Sequence, residues 1–73
     1  MQSHDPNSSL LKFGHRVREI RISKGLSQER LAFSSGLDRS YVGGVERGQR
    51  NVSLLNIIKL AAALNVEPRE LFS

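Results

Sequence analysis

The chain has 73 residues and no cysteine, which is enough for one domain and excludes disulfides or a cysteine-based zinc site as its staple. Its net charge of +4 is uneven: nine Lys or Arg face four acids between Lys12 and Arg50, while Lys59 and Arg69 balance Glu67 and Glu70 beyond Asn51, so one segment carries the footprint of a phosphate-binding face. No apolar run approaches the roughly 18 residues of a membrane span, and no signal-peptide core opens the chain, so a soluble cytoplasmic protein with no membrane partner is expected.

Residues 1–8 are polar, hold a proline and show no periodicity, which predicts a flexible N-terminal tail with His4 exposed. A first helix is predicted from Ser9 to Lys24, because Leu10, Phe13, Val17 and Ile20 recur at helical spacing. Gly25 suits the residue just past its end, Lys24 complements the negative end of its dipole, and Leu26 packs after the turn. Arg16, Arg18 and Lys24 are expected in solvent or near phosphate. Arg21 sits beside the buried stripe, next to Ile20. His15 has Glu19 four residues on but no metal constellation around it, and reads as a surface side chain.

Ser27 is an N-cap candidate for a second helix, Gln28 to Ser35, whose buried face is Leu31 and Ala32. Gly36 suits a sharp turn needing positive φ. Leu37 plugs the corner, and Asp38 is a cap candidate for a third helix, Arg39 to Arg47, with Val42 and Val45 inward. Two such helices joined by a tight turn make a helix-turn-helix, whose second helix reads the DNA major groove. Arg39, Ser40, Tyr41, Gly43 and Gly44 avoid the inward stripe and are the candidate base-reading positions. Arginine can donate two bonds to guanine. The two glycines each cost about 1 kcal/mol relative to alanine inside a helix, which predicts a close approach there. Gln28, at a helix N-terminus that favours anions, can donate to a phosphate oxygen.

Gly48 ends the third helix, and Arg47, Arg50 and Asn51 are candidate phosphate contacts at its end and in the loop that follows. Ser53 is predicted to cap a fourth helix, Leu54 to Leu64, with Leu54, Ile57, Leu60, Ala61 and Leu64 facing the core. Asn65 fits a left-handed C-terminal residue, and Val66 packs behind it. Glu67 and Pro68 open a last short helix ending in Leu71 and Phe72. A second apolar stripe, Leu55, Ile58 and Ala62, needs a cover of its own. A two-fold partner presenting the same stripe would supply it, with Leu71 and Phe72 extending the interface; the alternative is that the C-terminal helix folds over the stripe and leaves a monomer.

From Phe13 to Phe72 the sequence resembles the lambda-repressor-like (Cro/C1, or XRE) family of transcriptional regulators. The resemblance rests on GLSQERLA, the corner SGLDRSYV, and VERGQRNVSL, and GLDRSYVGGVERGQRNVSL looks most like restriction–modification controller proteins. It implies an all-α, compact five-helix DNA-binding domain over 9–73. It also implies that Gln28 meets phosphate, that the loop of Arg50 and Asn51 lies close to the DNA backbone, and that Arg21 pairs with Glu46. Family members often carry a longer polar reader where Gly44 stands, which implies fewer base contacts and more reliance on DNA shape.

No catalytic triad, Cys/His pair, glycine-rich phosphate loop or metal cluster is visible, so no enzyme, cofactor or metal is expected. The leading expectation is a homodimer reading a two-fold operator in double-stranded DNA. The alternative is an antitoxin or phage-type repressor acting mainly on a protein partner, and little chain remains for a separate partner-binding or small-molecule effector domain.

Overall fold

Each of the four α-helices ends in the same device, and that device sets the turns of the chain. In the computed structural model, which describes residues 5–73, these are α1 (Pro6–Ser23), α2 (Gln28–Ser35), α3 (Arg39–Glu46) and α4 (Leu54–Leu64). A left-handed residue follows each helix: Gly25, Gly36, Gly48 and Asn65. The next residue then donates its amide five residues back, Leu26 to Arg21 (3.0 Å), Leu37 to Ala32 (3.0 Å), Gln49 to Gly44 (2.9 Å) and Val66 to Ala61 (3.0 Å). This closes the orphan carbonyls of the last turn. The starts are equally local. The Ser27 hydroxyl accepts from the Arg30 amide and the Ser53 hydroxyl from the Asn56 amide. Asp38 occupies the cap position of α3, but its side chain makes no cap bond, contrary to expectation.

Helix α1 begins at Pro6, three residues before the expected Ser9. The Asp5 carboxylate accepts from the Asn7 amide, and Pro6 takes the first helical position, where its missing N–H costs nothing. Residues 6–8, expected in the tail, are therefore helical, and residues 1–4, with His4, lie outside the described residues. The chain closes in a 3₁₀ turn, Pro68–Phe72, rather than a fifth α-helix. The Glu70 amide donates to the Glu67 carbonyl at 2.9 Å, the three-residue step of a 3₁₀ turn, and the Glu70 carboxylate accepts from the Glu67 amide at 2.9 Å.

The core is a single cluster. Phe13, Val17 and Ile20 come from α1, Leu31 and Ala32 from α2, Val42 and Val45 from α3, Leu60, Ala61 and Leu64 from α4, and Leu71 from the last turn. Leu71 is wholly buried, so it is a core residue and not the interface residue expected. Leu54, expected in the core, is 72% exposed. It sits at the first residue of α4, ahead of the point where that helix meets the others. Phe72 is exposed, with its ring 5.3 Å from that of Phe13. Arg16 Nε donates to the Glu70 carbonyl at 2.9 Å, tying α1 to the last turn; it does not stand free for phosphate.

Helix α1 crosses α3 at Gly14, a residue that periodicity alone does not flag. A Cβ there would overlap the Val45 carbonyl oxygen and stand 2.8 Å from the carbonyl oxygen of Glu46. Gly14→Ala should therefore lower stability by about 1–3 kcal/mol, overpacking outweighing the better helix propensity of alanine. Thermal unfolding checks this, and a variant more stable than the parent would contradict the close crossing. No helix among the described residues is long and apolar enough to cross a membrane.

Candidate nucleic-acid interface

The pair α2–α3 turns at Gly36, whose φ of 74° is strained for any residue with a Cβ. Ala32 and Leu31 are buried beneath the crossing, with Val42 and Val45 on the facing side of α3. The outward face of α3 begins with Arg39 and Ser40, both exposed. A cation at the positive end of a helix is locally unfavourable. Arg39 keeps that position without an acid in the first turn of α3, as a residue selected for something outside the helix would.

Tyr41 is half-buried and braced. Its hydroxyl accepts from Asn56 Nδ2 at 3.1 Å and donates to the Asn51 carbonyl at 3.4 Å. These bonds link α3 to the loop and to the start of α4. Gly43 and Gly44 are both buried, so neither presents open backbone to a ligand. The close approach their cost implies comes from the protein itself. A Cβ on Gly43 would stand 3.1 Å from Arg47 Nη1, and one on Gly44 would stand 2.8 Å from Arg50 Cγ. Arg47, Arg50 and Asn51 are exposed, and Arg47 Nε donates to Gln49 Oε1 at 3.0 Å. The exposed surface around α3 thus gathers Arg39, Arg47 and Arg50.

Behind this face lies a buried polar cluster. Arg21 Nε and Nη2 donate to the two carboxylate oxygens of Glu46 at 2.7 and 3.0 Å. Arg21 Nη1 donates to the Leu26 carbonyl at 2.8 Å. Both side chains of the pair are largely withdrawn from water, 11% and 2% exposed. Gln28 Nε2 donates to Glu46 Oε1 at 2.9 Å. The Gln28 amide, expected to await a phosphate, is already engaged with the last residue of α3. Glu46 therefore fixes α3 against both α1 and the N-terminus of α2.

The sequence profile of the helix-turn-helix (HTH_3) family matches residues 17–71. The chain belongs to that family. This helix-turn-helix chain is 53% identical over 66 residues to the control protein C.BamHI of Bacillus amyloliquefaciens, covering 89% of this chain and 82% of that one. Its fold is similar to the crystal structure of the restriction–modification controller protein C.AhdI from Aeromonas hydrophila, with a TM-score of 0.88 and 77% identity, covering 89% of this chain and 98% of that one. It is also similar, with a TM-score of 0.82 and 34% identity over 97% of this chain and 88% of that one, to the controller protein C.Esp1396I, solved as a tetramer with its natural 35-base-pair operator.

In this helix-turn-helix protein the residue that the sequence reading passes over is Asn56. It is one of two polar residues, with Lys59, in the otherwise apolar α4, and that isolation is the signal that could have found it. The second apolar stripe is open: Leu55 is 61% exposed, Ile58 46%, and Ala62 is exposed too. The C-terminal turn buries Leu71 in the core and leaves that stripe uncovered, so the intramolecular cover is not used.

Proposed function

We propose that this protein is a sequence-specific, DNA-binding transcriptional regulator of the restriction–modification controller type. It acts in the cytoplasm as a homodimer on a two-fold operator, and binding rather than catalysis is its activity. The observation that carries the reading is the face of α3, where Arg39 and Ser40 stand exposed at the start of the helix and Arg47 and Arg50 stand exposed at its end and in the loop beyond. The controller proteins among its relatives support the biological role. Arg39 and Ser40 read base edges, with Tyr41 at the margin of the same face. Arg47, Arg50 and Asn51 hold phosphates, and Gln28 does so with the amide hydrogen that Glu46 leaves free. Leu55, Ile58 and Ala62 pair with the same stripe of a second copy, with Phe72 at the edge.

Arg39→Ala should weaken binding to the preferred duplex by about 1–3 kcal/mol and relax the choice at one base. Arg50→Ala should instead weaken all sequences alike and flatten the salt dependence. Titrations on the preferred and a scrambled duplex at several salt concentrations test both, and equal losses on the two duplexes for Arg39→Ala would remove its base-reading role.

A further inference from the structure

We infer that Gly44 is a positioning residue for DNA binding: its missing side chain is the seat in which Arg50 lies across the reader helix. The inference rests on the DNA-binding reading above. Gly44 has ordinary helical backbone, since the positive-φ glycines are Gly25, Gly36 and Gly48. Conformation therefore does not require a glycine at this position, but space does. A Cβ on Gly44 would stand 2.8 Å from Cγ, 3.0 Å from Nε and 3.5 Å from Cδ of Arg50. The stem of Arg50 thus lies directly on the backbone of α3.

The head of Arg50 continues along the helix to Tyr41, one turn earlier, where its Cζ is 5.8 Å from the ring centroid. That ring is held by the two bonds of its hydroxyl to Asn56 and Asn51. An arginine from the loop after α3 is in this way laid along α3 toward Arg39 and Ser40. A long side chain ordered before binding loses less freedom when it meets DNA than one that swings in solvent. Any side chain at position 44 lifts Arg50 out of the seat and returns it to solvent.

The test is Gly44→Ala, with a duplex selected from a random pool by the wild-type protein as the probe. Alanine is the better helix former, but the nearest atom it displaces, Cγ, belongs to the stem of Arg50, so the side chain must change rotamer; the two effects oppose, and the melting temperature should stay within about 5 °C of the parent. Affinity for the duplex should fall about tenfold. The slope of log K against log salt should flatten by roughly 0.9 per protomer, as though one cation had been removed, although the substitution changes no charge. In an Arg50→Ala background the same substitution should leave affinity and slope unchanged. Should Gly44→Ala alone fail to melt cooperatively, the double variant, which lacks the obstructing Cγ, still gives this comparison. A wild-type salt slope in Gly44→Ala, or the same loss in both backgrounds, would overturn the seat. A wild-type protein that selects no duplex would instead overturn the DNA-binding reading itself.

Discussion

Arg21→Ala lowers the unfolding free energy by about 3–5 kcal/mol, and Glu46→Ala by a similar amount. The size follows from what each truncation strands. Without Arg21, the Glu46 carboxylate stays inside the protein with the Gln28 amide as its remaining partner. Without Glu46, the Arg21 guanidinium keeps the Leu26 carbonyl, and Gln28 loses its acceptor. Each loss is a large fraction of what holds so small a domain together. Replacing both residues should cost clearly less than the two single losses combined, because no charge is then left unpaired. Urea unfolding of the four proteins measures this. Strict additivity would mean that the pair, joined by bonds of 2.7 and 3.0 Å here, does not act as a unit. The pair joins α1 to the last residue of the reader helix, so either truncation should also loosen DNA binding.

Leu55→Glu together with Ile58→Glu should give a folded monomer that binds its operator at least about a hundredfold more weakly. Both side chains are exposed in the single chain, so the charges cost little there. They become costly where a second copy would cover them, since like charges would face each other without water. A monomer contacts one half-site only, and loses the gain that comes from joining two readers. Sedimentation of parent and variant gives the oligomeric state, and a parent that stays monomeric at tens of micromolar, above a Kd of about 1 μM, would reject the dimer.

Local signals carry most of the fold. The bounds of α2 and α4, the serine caps and the left-handed residues after each helix were legible, because each depends on neighbours within one turn. Long-range matters were less so. Periodicity puts the apolar Leu54 in the core and leaves Leu71 for an interface, and the structure reverses both, since periodicity says which residues share a face and not where a neighbouring helix ends. Gly14 left no trace in the pattern, because the need for it arises on α3. The start of α1 was legible in Asp5 and Pro6 but outweighed by the polar composition around them. In the candidate site, the cost of Gly43 and Gly44 signalled a close approach correctly, but sequence spacing could not show that Arg47 and Arg50 make it. The bond of Gln28 to Glu46 has no local signal, because it spans 18 residues.

Selection of bound duplexes from a random DNA pool by the purified protein decides whether it reads DNA sequence as a dimer. The enriched duplexes should share a two-fold symmetric motif whose half-sites lie one helical turn apart, about 34 Å, as two reader helices related by a dimer axis require. An enriched pool with no shared motif, or with a single half-site and no symmetry, would contradict a dimeric, sequence-specific regulator.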